Sequence, residues 1–376
     1  MRENCLIIAG EKSGEEHALT FIKELKRKCP DVDFWGVGGD ELATQMDIEY
    51  HLKDFSSWGI SEVIKKIPFY LKALKYIERK AIERKTKTAI LIDFQDFNLR
   101  LARRLKKQGV RVLYYVAPQA WAWKAKRAGV LQKTVHTLFT IIPFEKKWFN
   151  DRGVSKVVAI NHPLLTKFEK DLPHIKNKNF SELKKEVNLL LLPGSRNFEV
   201  AELLPEFIGS LKELKKDFPL KVSLVLSSNI NKDLIKPYAS FIDKIYSNEE
   251  LTKALTEADF AFGASGTVTL ACALFEVPTV VAYKGSLLNE FIFYQFIDYK
   301  GPISLANIVH QKQVYPELMQ DRATSYNMGL NLRRWLTDDL EYEKIKETLA
   351  KTKSLLQGES IDVASYMAGV LTEDEK

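Results

Sequence analysis

The strongest constraint on this chain is an alternation of short apolar runs with longer amphipathic ones. Leu6–Ala9, Phe34–Val37, Ala89–Ile92, Val110–Val116 and Thr137–Ile142 read as strands. Ala18–Lys28, with Phe21, Ile22 and Leu25 set against a basic face, reads as a helix, as does Leu99–Lys107. Strands that alternate with helices predict a parallel sheet covered on both faces. The rhythm fades between Leu165 and Glu186, where Pro173, Asn177 and Asn179 stand among lysines, and this stretch reads as an interdomain connection. It then restarts. Val187–Leu192, Lys221–Leu226, Asp259–Ala264 and Thr279–Tyr283 read as strands, with helices over Val200–Asp217 and Glu249–Glu257. Glu343–Gly369 reads as helical. At 376 residues the chain is too long for one comfortable core. The prediction is two consecutive α/β domains with a cleft between them.

In such sheets ligands gather at the carboxyl ends of the strands. Four turns lie there. Pro193-Gly194-Ser195-Arg196 follows the first strand of the second half, and Ser265-Gly266-Thr267 follows a later one. Both offer backbone N–H groups and hydroxyls at a helix start, a setting for anions, and the Arg196 guanidinium matches two phosphate oxygens. A routine capped helix is the plainer reading of the second turn. In the first half, Gly10-Glu11-Lys12-Ser13-Gly14-Glu15 follows the first strand. It has neither the Gly-Lys-Ser/Thr order of a Walker loop nor a dinucleotide fingerprint. It is an anion-facing turn or a plain one capped by Ser13 or Glu15. Asp93-Phe94-Gln95-Asp96-Phe97-Asn98 follows the Ala89–Ile92 strand. Asn98 suffices to cap a helix beginning near Leu99, which leaves Asp96 for general base catalysis or for a structural role.

Other features are weaker. Trp121 and Trp123, followed by Lys124, Lys126 and Arg127, suit a sugar or acyl site, or else core packing. His162 reads as a hydrogen-bonded strut. Asp31-Val32-Asp33 has acid-x-acid spacing but lies at the wrong end of a strand and reads as a solvated turn. Tyr283-Lys284 ends a strand, and Asn307 and Glu317 fall in a region read as a loop closing the cleft. Cys5, Cys29 and Cys272 have no metal or disulfide spacing, which suits a reducing cytoplasm. The formal charge of +7 is modest, and with no recognition module beside it nucleic acid is not expected as a partner. No run is long and apolar enough to span a membrane. Asp54–Lys85 interleaves Phe55, Trp58, Phe69 and Tyr70 with Lys65, Lys66, Lys72 and Lys75, with Pro68 breaking the run. It reads as an interfacial surface facing anionic lipid or as a helix pair with a solvated lysine face.

Taken in order, these stretches resemble the lipid-A-disaccharide synthase family, inverting glycosyltransferases of GT-B type. The resemblance rests on Ala9-Gly10-Glu11 with Ser13-Gly14, Gly36-Val37-Gly38-Gly39, Asp93 with Asp96-Phe97-Asn98, and Trp121-Ala122-Trp123. It continues through Pro143-Phe144-Glu145, His162-Pro163, Leu192–Arg196, Ala264–Thr267, Val281–Lys284, Asn307 and Pro316-Glu317-Leu318. It implies two Rossmann-like domains, an acceptor domain over 1–165 and a UDP-sugar domain over 186–342, with helices over 343–376 crossing back to the first. It implies transfer of 2,3-diacylglucosamine from its UDP conjugate to 2,3-diacylglucosamine 1-phosphate, giving a β(1→6) disaccharide and UDP. By resemblance Asp96 is the base, and Ser13, Glu15, Arg196 and Asn307 join it in catalysis. Gly194, Ser195, Arg196, Ser265, Gly266, Thr267, Lys284 and Glu317 hold UDP. No metal or other cofactor is implied. The partners are the two diacylglucosamine lipids and an anionic membrane, touched peripherally through 54–85 on the cytoplasmic face of the inner membrane by a monomer or homodimer.

Three positions depart from the family pattern. Ala271 stands where a glutamate is usual, which removes a charged hydrogen-bonding partner worth roughly 1.5–3 kcal/mol. Glu15 replaces aspartate, and Asn161 replaces glycine before His162. The alternatives are a non-catalytic nucleotide-sugar or lipid binder, motivated by Ala271, and another enzyme on this scaffold such as a nucleotide-sugar epimerase.

Overall fold

The computed structural model describes residues 3–55, 60–175, 178–285 and 301–373, with 60–64 and 123 described in backbone only. The chain forms two compact units, Met1–Pro163 with Gln357–Lys376, and Leu164–Leu356. The first holds β1 (Glu3–Ala9), β2 (Val32–Gly38), β3 (Asp47–His51), β4 (Thr88–Ile92), β5 (Arg111–Tyr115), β6 (Thr137–Thr140) and β7 (Val157–Ala159). They form one parallel sheet in the order β3-β2-β1-β4-β5-β6-β7. The second holds β8 (Val187–Leu192), β9 (Leu220–Leu226), β10 (Lys244–Ser247), β11 (Phe260–Ala264), β12 (Thr279–Tyr283) and β13 (Glu317–Met319). Its order is β10-β9-β8-β11-β12-β13, also parallel. Counted within each unit, both sheets begin 3-2-1-4-5-6, the doubly wound order whose direction reverses beside the first strand.

The apolar runs are continuous because each strand feeds two cores. Leu6, Ile8, Ala89, Leu91, Val112 and Tyr114 point to one face of the first sheet, under the Ile60–Glu83 and Gln95–Lys107 helices. Cys5, Ile7, Ile90, Ile92, Leu113 and Tyr115 point to the other face. That face is covered by the Lys12–Leu19, Ile22–Lys28 and Val363–Thr372 helices. The period of two along a strand makes this division. In the second unit the Asn197–Leu214, Ser325–Thr337 and Asp339–Leu349 helices share a core with β8, β9 and β11.

Several sequence expectations change. The helix expected over Ala18–Lys28 is two helices broken at Thr20-Phe21, where Thr20 Oγ1 bonds back to the His17 carbonyl at 2.7 Å. Phe21 turns inward against Tyr115, with ring centroids 5.0 Å apart. Pro68 does not split the basic, aromatic segment, because a single helix runs Ile60–Glu83 through it. Ala73, Leu74, Ile77 and Ala81 are buried in the core and hold that helix in place of the lost N–H bond. Trp58 lies outside the described residues. The stretch Glu343–Gly369 is divided among three helices, Asp339–Leu349, Thr352–Leu355 and Val363–Thr372. Asp339–Leu349 packs in the second unit, then Gly358 passes so close to Ile160 that a methyl there would lie 2.4 Å from its carbonyl carbon. Glu359 N–H donates to the Ala159 carbonyl at 2.7 Å before the last helix joins the first unit's core. Among the described residues no helix is long and apolar enough to cross a membrane.

Candidate active site

Because all strands in each sheet are parallel, each unit gathers its turns at one carboxyl edge. In the first unit the turn after β1 runs into the Lys12–Leu19 helix, with Glu11 at its N-cap and Ser13 exposed in its first turn. Gly10 is needed there, since a methyl would meet the Phe94 ring at 2.7 Å. Glu15 points inward. Its Oε1 accepts the Leu42 N–H at 3.0 Å, its Oε2 accepts Lys12 Nζ at 3.0 Å, and a methyl on Gly39 would crowd the carboxylate at 2.5 Å. Burial pushes its pKa up, but the bonds from Leu42, Lys12 and Gly39 outweigh that and leave it below the usual carboxylate value. Glu15 therefore ties the β1 turn to the β2 turn.

After β4, Asp93 (φ 45°) and Phe94 (φ 41°) both adopt left-handed backbone, a strained pair without glycine. Their surroundings hold them. The Asp93 carbonyl accepts Tyr114 Oη at 2.8 Å and Asn98 Nδ2 at 2.9 Å, and Phe94 packs on Phe55 and Phe97. The helix starts at Gln95 rather than near Leu99, so Asn98 braces the strained turn from inside the helix instead of capping it. Asp96 lies in the first turn with its side chain 72% exposed. Its Oδ1 accepts Arg127 Nη2 at 2.7 Å and lies 3.8 Å from Lys124 Nζ. The Arg127 side chain is only 7% exposed, so a buried cation fixes an open carboxylate. Asp93 differs. Burial, then the nearby Glu11 charge, push its carboxyl up to about 6.

Trp121 is held rather than loose. Its indole N–H donates to Glu145 Oε1 at 2.9 Å, and its ring meets Phe144 edge-on at 5.4 Å. The Trp123 side chain lies outside the described residues. Glu145 is fully enclosed and its Oε2 has no hydrogen-bond partner. Burial pushes it up to about 8, against the opposing hydrogen bonds from Trp121 and Ile142. Its burial is not legible in the sequence, which shows only its place in the Pro143-Phe144-Glu145 motif. His162 is buried and, through burial and then the neighbouring His17, held down to about 4. No cluster of side chains among the described residues could hold a metal ion.

In the second unit both glycine turns line one cavity of about 400 Å³. Gly194, Ser195, Arg196 and Glu199 come from the β8 side, and Ser265, Gly266, Thr267 and Ala271 from the β11 side. Gly194 (φ +111°) is left-handed and its missing side chain makes room for Glu199. Gly266 is extended, with open space around it. The helices that follow, Asn197–Leu214 and Thr267–Leu274, both begin without a side-chain cap. Ala271 contributes only a methyl where a carboxylate was expected.

Lys284, Asn307 and Glu317 are not among the residues lining that cavity. Lys284 Nζ donates to Glu206 Oε1 at 2.8 Å, whose other oxygen accepts Ser325 N–H at 2.7 Å. Asn307 and Glu317 are on regular elements, the Leu305–His310 helix and β13, rather than in a closing loop. The buried Asn307 amide donates to the Tyr315 carbonyl and to Glu317, and accepts from Val314 and Tyr315 N–H. That uses the full capacity of an amide. Glu317 also accepts the N–H groups of Ile303 and Ser304.

Two doubly wound parallel-sheet units, the second with a pair of helix starts around one cavity, define the GT-B class. A crystal structure of MurG from Acinetobacter baumannii shares this architecture with TM-score 0.60, at 15% identity over 98% of this chain and 99% of that one. A putative UDP-N-acetylglucosamine 2-epimerase from Listeria monocytogenes does so with TM-score 0.58, at 10% identity over 95% of this chain and 93% of that one. The fold alone thus leaves more than one chemistry open. The sequence narrows it. The family model for lipid-A-disaccharide synthetase matches residues 5–370. Lipid-A-disaccharide synthase 1 of Legionella pneumophila is 32% identical over 99% of this chain and 98% of its own length. The chain belongs to the lipid-A-disaccharide synthase family, glycosyltransferases of lipid A biosynthesis.

Proposed function

We propose that this enzyme transfers 2,3-diacylglucosamine from UDP-2,3-diacylglucosamine to the 6-hydroxyl of 2,3-diacylglucosamine 1-phosphate. The single observation that carries the reading is the family match along residues 5–370. Asp96 takes the hydroxyl proton as the oxygen attacks C1 from the face opposite UDP, and the C1–O bond breaks with its electron pair leaving on the diphosphate. That gives inversion. Arg127 and Lys124 keep Asp96 oriented, with Arg127 2.7 Å away. Arg196, the Ser195–Arg196 turn and the Ser265–Thr267 turn supply the counter-charge for the leaving diphosphate, so the transfer needs no metal. Asn307, Glu317 and Glu15 serve by holding loops, and Lys284 by its tie to Glu206. Ser13 stays available at the first helix start.

The diacyl chains call for an apolar approach. The Ile60–Glu83 helix exposes Ile67 and Leu71 beside Lys65, Lys72 and Lys75, which supports peripheral contact with an anionic bilayer. The test is purified enzyme with both lipids, one lipid, or neither, with and without a chelator. UDP release and a tetraacyl disaccharide 1-phosphate by mass spectrometry are expected only with both lipids, and chelator leaves the rate intact. UDP binding without any disaccharide would favour a non-catalytic binder, for which Ala271 is the motive. A free or epimerised sugar would favour an epimerase.

A further inference from the structure

A carboxylate already occupies the donors best suited to a diphosphate. Glu199 lies in the first turn of the Asn197–Leu214 helix with its side chain 19% exposed. Its Oε2 accepts the Ser195 N–H at 3.0 Å, and its Oε1 accepts Arg196 Nη1 at 2.8 Å. A methyl built on Gly194 would overlap that same Oε2, so the carboxylate is pressed against the α-carbon of the turn. All four residues line the one cavity. An acid at this position suits the helix dipole, and reaching back to an N–H is what a capping box does. Here, however, the N-cap is Arg196, and the N–H taken is that of Ser195, one residue before it in the turn. The other turn provides a control within the molecule. The Thr267–Leu274 helix has no acid in its first turn, so no carboxylate stands in its mouth from that side.

We propose that Glu199 is a placeholder anion, displaced by the nucleotide's diphosphate and returning as UDP leaves. The proposal rests on the nucleotide-site reading above. Two anions cannot share the Ser195 N–H and the Arg196 guanidinium without strong repulsion, so binding exchanges one for the other. The turn donors are then paired in both states. The exchange also lowers the net affinity for UDP, which favours product release.

The test is calorimetric binding of UDP and of uridine to the full-length enzyme, its Glu199→Gln form and its Glu199→Ala form. The glutamine keeps an accepting oxygen for the Ser195 N–H and removes the charge. Both variants are expected to bind UDP about tenfold more tightly or better, with slower dissociation, because a like charge has been removed from the site. Uridine affinity stays unchanged. UDP binding that is equal or weaker in a folded Glu199→Gln protein overturns the placeholder. The wild-type protein supplies a readout independent of either variant. Its crystal structure with UDP is expected to show Glu199 turned away from the Ser195 N–H, and a bound diphosphate with Glu199 still in place overturns the proposal. Should UDP fail to bind all three proteins, the nucleotide-site reading falls, and the placeholder with it.

Discussion

The two carboxyl edges are made of opposite materials. The first unit's edge is crowded with side chains whose protonation the interior resets. Burial lifts Asp93 to about 6 and Glu145 to about 8, and holds His17 and His162 near 4. The second unit's edge is made of backbone turns, hydroxyls and one exposed guanidinium around a cavity, with Glu199 as the carboxylate those donors hold. The difference teaches a division of labour. An edge that manages protons suits the acceptor hydroxyl, and an edge of fixed donors suits a leaving anion. Each half can be broken separately, which makes the comparison testable.

The largest effect is expected at Asp96. Asp96→Asn keeps the shape and the Arg127 contact but cannot take a proton, so turnover should fall about 10²- to 10⁴-fold. UDP affinity is the paired readout, since the turns proposed to hold UDP belong to the other unit. Steady-state rates beside calorimetry check both, and a rate within tenfold of wild type removes Asp96 from the chemistry.

Next comes the buried acid. Glu145 has an ordinary value of 4.5 and a folded value of about 8, so the native state keeps a proton that the unfolded chain releases. Stability is then full below 4.5, falls as pH rises towards about 8, and is level above that. The slope is about 1.4 kcal/mol per pH unit for one such group. Glu145→Gln cannot ionise and retains an acceptor for Trp121. Its stability advantage over wild type should grow across that window to on the order of a few kcal/mol. Denaturant melts at pH 5, 7 and 9 check this, and parallel curves for the two proteins would contradict a neutral Glu145.

The strands that escaped the sequence reading are β3, β7, β10 and β13, and these are the four edge strands of the two sheets. Interior strands are covered on both faces and read as unbroken apolar runs. Edge strands such as Asp47–His51 and Lys244–Ser247 are short and polar, as unpaired edges must be to avoid association. Glu317 reads as a loop residue for the same reason, because β13 has only Glu317–Met319 to show, and Asn307 does so because its helix, Leu305–His310, is only six residues long. The glycine turns are legible because glycine beside a strand end is a local signal. Glu199 and Glu145 are not, because their character comes from what folds around them.

A smaller effect separates the two edges from the other side. Arg196→Ala removes a charged donor from the second edge alone, which should weaken UDP binding by about 1.5–3 kcal/mol. Because Arg196 is 62% exposed and its visible pair with Glu199 is three residues away on the helix, the melting temperature should barely change. A large stability loss with unchanged UDP affinity would make it a strut.

The smallest effect divides the second edge itself. Gly194 has φ +111° and lies against Glu199, so Gly194→Ala must bear left-handed backbone and a collision, about 1–2 kcal/mol or more. Gly266 is extended, and a methyl there meets nothing within 4 Å. Gly266→Ala should therefore stay within about 0.5 kcal/mol of wild type. If UDP affinity nevertheless drops in Gly266→Ala while its melting curve is unchanged, the glycine is there for ligand approach rather than for the fold. Equal stability losses in the two variants would contradict the backbone difference between the turns.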